Sequence, residues 1–119
     1  MHYPIVLLTD KDIYNNESHN KTIDLLVNSK QNICKIIDEN TLEIDNEIIY
    51  FDYLIIDSID TFQNLFLKNN IYLNDENIPI TNCFHQTTID NIFSIGSCSS
   101  STKTITQQLL DITNFLKEV

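Results

Sequence analysis

The chain has 119 residues, 42% of them hydrophobic; that suffices for one domain with a modest core, 1–119, and leaves no room for two. Seventeen acidic residues against seven lysines give a formal charge of −10. A surface of that sign repels phosphate backbones and anionic bilayers, so nucleic acid and membrane are excluded as expected partners.

Ala, Arg and Trp are missing, whereas Asn and Ile abound. AT-rich coding accounts for that bias, and no function is read from it. The acidity suits a basic protein partner and equally keeps a small protein soluble. Cys34, Cys83 and Cys98 are odd in number and form no Cys-x-x-Cys, which argues against a disulfide framework or a thioredoxin-type pair. No apolar run nears the ~20 residues of a membrane span. Met1–Asp10 lacks the basic segment and long apolar core of a secretory leader, so the expected compartment is cytoplasmic. The sequons at Asn16 and Asn20 are then chance matches.

In chain order, Pro4-Ile5-Val6-Leu7-Leu8 is a continuous apolar run that predicts a buried strand. Thr9–Asn16 is polar and loop-like. Ser18–Ser29 predicts a helix with Ile23, Leu26 and Val27 on one face, and Ile33–Ile37 a second strand. Thr41–Ile44, the turn Asp45-Asn46 and Glu47–Tyr50 predict a hairpin. Tyr53–Ile56 is another buried-type strand, ending at Asp57. Ile59–Lys68 predicts a short helix with Phe62, Leu65 and Phe66 inward, closed by Asn69-Asn70. Ile71–Leu73 and Ile78–Ile80 are short extended pieces around a turn at Asn74–Asn77. Ser99–Glu118 carries the strongest helical pattern, with Ile105, Leu109, Ile112, Leu116 and Val119 at spacings of four and three and Ser100, Ser101 or Thr102 as its cap. Mixed strands and helices with three buried-type runs predict a layered α/β domain.

The chain's one glycine, Gly96, ends the apolar run Asn91–Ile95 and leads into that last helix. A strand that ends in glycine and turns toward a helix lets the backbone approach a ligand and offers free N–H groups to an anion. Capping by Ser97–Thr102 explains the same residues.

Two blocks resemble one family. Ile33–Ile56, with its hairpin and Tyr-Phe-Asp-Tyr-Leu-Ile-Ile strand, is similar to the hairpin-then-strand segment of the FAD domain of FAD-dependent pyridine nucleotide-disulfide oxidoreductases. Gln86–Cys98, with Asn-Ile-Phe-Ser-Ile-Gly-Ser, resembles that family's last flavin strand, Asn-Ile-Phe-Ala-Ile-Gly-Asp. The resemblance implies a reduced, three-layer, Rossmann-like fold with a hairpin and a C-terminal helix, Thr102–Val119. It implies Asp10, Gly96, Ser97 and Thr102 as the residues nearest a flavin or nucleotide, with Asp10 at a ribose.

The chain departs from the family where the cofactor is gripped. It has no Gly-x-Gly-x-x-Gly after its first strand, the motif that seats the pyrophosphate. The family's Ala-Thr-Gly is Asp57-Ser58-Ile59, its Gly-Asp is Gly96-Ser97, and its NAD domain is reduced to about a dozen residues after Ile56. Ile5–Leu8 resembles the family's second strand. Without the Gly-loop strand, either Ile5–Leu8 takes the central place in the sheet or another chain completes it.

Cys83, His85 and Cys98 contain a Cys-x-His half-site but show no fourth ligand, so no metal is expected. His85 has no nucleophile near it in sequence, and no catalytic residue is assigned. The expected function is a non-catalytic, degenerate flavoprotein-like domain. It would serve as an accessory or assembly subunit of a redox complex, without cofactor and with a protein partner or a second copy. The alternative is a small FAD- or nucleotide-binding oxidoreductase completed by oligomerisation.

Overall fold

The computed structural model describes residues 1–12 and 22–118. Within them, six strands form one mixed sheet. Strand β1 (His2–Thr9) lies between β2 (Leu25–Asn28) and β5 (Glu47–Asp57) and is parallel to both. Ile5–Leu8 thus takes the central place. β3 (Cys34–Asp38) and β4 (Thr41–Ile44) extend the sheet beyond the first half of β5 as an antiparallel ribbon, and β6 (Ile92–Ser94) pairs parallel with its second half.

The long β5 explains this division. The sequence reads Glu47–Tyr50 and Tyr53–Ile56 as two pieces, yet no breaker separates them, and β1 pairs along both from His2↔Tyr50 to Thr9↔Asp57. The hairpin forms as expected. Asp45 and Asn46 have φ of 49° and 74°, the left-handed pair that a tight two-residue turn needs and that Asn and Asp tolerate.

The expected helix over Ser18–Ser29 is corrected: Leu25–Asn28 is a strand in register with Val6–Thr9. The Ser18–Lys21 part of that expectation lies outside the described residues, as do the sequon at Asn16 and Val119. Leu26 and Val27 fit a helical face and a strand equally. The free edge of β1 decides, because pairing places Val27 in one core and Leu26 against the other.

Those cores lie on opposite faces of the sheet. Val6, Leu8, Leu54, Ile56 and Ile92 meet Phe62, Leu67 and Ile71 on one face; Leu7, Ile55, Phe93 and Ile95 meet Ile112 on the other. Full burial of each such side chain contributes about 1.5–3 kcal/mol. The apolar runs are continuous because these strands are covered on both sides.

Ile59–Lys68 is not one helix. A 3₁₀ segment (Ile59–Gln63) precedes α1 (Leu65–Asn70), and Asn64 interrupts them with ψ 134° while its side chain caps the Phe66 N–H. Leu65, expected inward, is exposed; Leu67 is buried in its place. Leu73 and Pro79 pair as an antiparallel bridge across the Asn74 turn. The last helix, α2 (Ile105–Lys117), starts later than expected, and Thr104 caps it by accepting from the Gln107 N–H. Among the described residues no helix is long and apolar enough to cross a membrane.

Candidate functional site

The carboxyl ends of β1, β5 and β6 converge on one corner. Thr9 and Asp57 are the last residues of adjacent parallel strands. β6 runs through Ile95 into Gly96, which opens a short 3₁₀ turn (Gly96–Cys98). Gly96 has φ +59°, and a Cβ built there lies 2.5–2.6 Å from the Asp57 carboxyl group. Both the backbone conformation and the close approach therefore require glycine.

Asp57 is fully buried. Its Oδ1 accepts from the Ser97 N–H and from Ser97 Oγ, each at 2.8 Å. Ser97 Oγ in turn accepts from Lys11 Nζ at 3.2 Å, and Lys11 Nζ also donates to Asp10 Oδ1 at 2.9 Å. The hydrogen bond to Asp10, with the charge of Asp57, raises the Lys11 ammonium above its ordinary range against the opposing effect of burial. Thr9 Oγ1 donates to the Asp57 carbonyl and accepts from the Lys11 N–H. The Gly96 N–H donates to Oε1 of buried Gln108, whose Nε2 donates to the Lys103 carbonyl. The turn is thereby fastened to α2, and Ser94 Oγ donates to the Cys98 carbonyl beneath it.

The structure thus links Asp10 to Ser97 through Lys11, and Ser97 to Asp57, while Gly96 packs against the Asp57 carboxyl group and bonds to Gln108 instead. Thr102 takes no part in these contacts. It is exposed and precedes the cap Thr104 by two residues, so the expected cap and helix start at Thr102 are corrected. Ser99 Oγ and Ser101 Oγ instead accept from the N–H groups of Ser101 and Lys103, holding the lead-in as successive hydroxyl turns.

Clefts flank the corner. One, of about 280 Å³, mixes Asp10, Lys30, Ser58 and Asp60 with Leu8 and Ile36; another, of about 590 Å³, includes Phe62, Leu73, Pro79, Ser97 and Cys98. Asp10 and Ser97 line different clefts, and Lys11, which lines a third cleft of about 150 Å³ with Thr9, donates to both side chains. The Ser58 hydroxyl is buried without a hydrogen-bond partner.

Burial pushes the Cys98 thiol up to about 12, against the lowering effect of the Ser97 hydroxyl and the Ser58 N–H, and the Cys34 thiol up to about 11. Such thiols are poor nucleophiles at neutral pH. Among the described residues no three His, Cys, Asp or Glu are grouped to hold a metal.

A second polar cluster escapes sequence reasoning. His85, buried and held at φ 68°, places Nε2 3.0 Å from Asp111 Oδ2 on α2. The same carboxylate accepts from Lys103 Nζ at 2.8 Å and Gln107 Nε2 at 2.9 Å. Lys103 first, then His85, holds the Asp111 carboxyl well below the usual range. Only the Gln107–Asp111 spacing of four on a helix was a signal; the contact with His85 comes from tertiary packing.

Comparison with family models, with curated proteins and with solved structures finds no match to this chain.

Proposed function

We propose that the protein is a non-catalytic accessory or assembly subunit of a redox complex, built on a degenerate flavoprotein-like scaffold that has replaced its ligand with its own side chain. The single observation that carries this reading is the Asp57–Ser97 pair. Backbone N–H groups after a glycine at the end of a parallel strand form a seat for an anion. Here the Asp57 carboxyl group fills that seat, with the Ser97 N–H and hydroxyl both directed to one of its oxygens. A phosphate entering there would meet the carboxylate instead of free donors, and would add negative charge to a buried acid. The parallel order β2-β1-β5-β6 is compatible with the reduced, Rossmann-like FAD-domain fold that belongs to this proposal.

The cleft beside Asp10, which has both polar and apolar walls, favours the second reading, a small FAD- or nucleotide-binding oxidoreductase whose site is completed by another copy. An absorption spectrum of freshly purified protein, with its native mass, separates the two. The first reading expects colourless protein and a mass that includes a different polypeptide. Flavin at near-stoichiometric amounts would refute it.

A further inference from the structure

The geometry points to the open face of the β3-β4-β5 ribbon as the docking surface for a different protein, one that presents lysine or arginine around exposed apolar side chains. The inference rests on the accessory-subunit reading and names the chemistry of the partner.

Three features of the ribbon carry it. First, the two faces differ. Ile36, Leu42 and Ile49 sit opposite one another in the pairing and are buried. The rows beside them, Lys35–Glu43–Ile48 and Thr41–Tyr50, project to the other side, and a register shift between Ile36 and Asp38 breaks the alternation at Ile37. α2 packs against residues of β1, β5 and β6 nearer their carboxyl ends, Leu7, Ile55 and Phe93. The ribbon's outer face therefore keeps Ile37, Ile48 and Tyr50 exposed at 39%, 42% and 51%, with Ile33 exposed at its end. Second, β3 pairs only with β4 among the described strands, so its other edge is open to a further chain. Third, the ribbon and its turns are acidic, with Glu43 in the outward row beside Ile48. Residues 33–52 carry Asp38, Glu39, Glu43, Asp45, Glu47 and Asp52 against Lys35 alone.

The charge chooses the occupant. Two copies of this ribbon would bring like-signed surfaces together, which disfavours a homodimer through this face. Nucleic acid and anionic bilayers are repelled for the same reason. A basic protein surface gains long-range attraction to the acidic rim, while Ile37, Ile48 and Tyr50 supply the apolar anchor.

The test uses the intact protein labelled with ¹⁵N and two synthetic probes, peptides of alternating lysine and valine or of alternating glutamate and valine. The lysine peptide is expected to shift the amide signals of Ile33–Asp52 ahead of all others, and the glutamate peptide to shift none. Its affinity should fall at least about tenfold between 0.1 and 1 M salt, as the Debye length drops from ~10 to ~3 Å. The Ile48→Lys/Tyr50→Lys variant, whose own spectrum reports its fold, should lose the effect. Asp75→Lys makes the same charge change away from the ribbon and should retain it. Shifts spread evenly over the surface, equal response to both peptides, or an unaffected double variant would overturn the proposal. So would ribbon shifts that depend on protein concentration without peptide, since a second copy would then occupy the face. Flavin in the purified protein sinks the accessory-subunit reading whether or not the ribbon binds. Colourless protein with an inert ribbon sinks only the docking surface.

Discussion

Replacing Gly96 with alanine tests the corner on which the functional reading stands. At φ +59° an alanine costs about 1–2 kcal/mol through its Cβ alone. The new methyl group also lies 2.5–2.6 Å from the Asp57 carboxyl group. Asp57 is fully buried, so its carboxylate has no solvent to turn into. To make room it must swing off the Ser97 N–H and hydroxyl. Hydrogen bonds to a charged group contribute about 1.5–3 kcal/mol each. These two share one oxygen and do not add fully, so about 2–3 kcal/mol is lost for the pair. Gly96→Ala should therefore destabilise the protein by about 3–5 kcal/mol, a large part of the roughly 6–18 kcal/mol expected for a chain of this length. At about 4 °C per kcal/mol, the thermal midpoint should fall by about 12–20 °C. A double-mutant cycle in urea isolates the cause. Asp57→Ala removes all three atoms that the new Cβ meets, so in that background Gly96→Ala should cost only the backbone part, about 1–2 kcal/mol. A coupling of about 2–3 kcal/mol is expected. Additivity within about 0.5 kcal/mol would refute the close packing of Asp57 against Gly96.

Other perturbations separate the remaining assignments. Thr104→Ala should cost about 1 kcal/mol through the lost cap of α2, while Thr102→Ala, at an exposed position outside the helix, should change stability by less than ~0.5 kcal/mol in the same urea titration. Alkylation at pH 8 followed by mass spectrometry should label exposed Cys83 first and reach Cys98 only on unfolding, because burial keeps the Cys98 thiol protonated with a pKa of about 12. Asp111 has a folded pKa below its unfolded value, so its contribution is complete above the unfolded value near ~4 and is lost as pH falls toward the folded one. Asp111→Asn should lower the midpoint at pH 7 and flatten the acid limb of the stability profile; an unchanged limb would mean that Lys103 and His85 do not hold the carboxylate.

Local pattern was enough for the hairpin, the buried runs of β1, β5 and β6 and the amphipathic α2, because each depends on neighbours two to four residues apart. Asp45-Asn46 specifies its turn, and the 3.6-residue repeat of Ile105, Leu109, Ile112 and Leu116 specifies its face. The lone glycine likewise marked the end of β6 beside Ser97, but it opens a three-residue 3₁₀ turn and α2 starts only at Ile105, so the direct strand-to-helix step read from the sequence is not found. Tertiary structure decided the rest. Leu25–Asn28 is a strand because β1 offers an edge about twenty residues away, a fact absent from its own spacing. Asp57 fills the seat beside Ser97 across forty positions of chain, and His85 finds Asp111 across twenty-six. Side-chain type sets what a residue is able to bind, but the closure of two parallel strands at one corner determines which partner it meets.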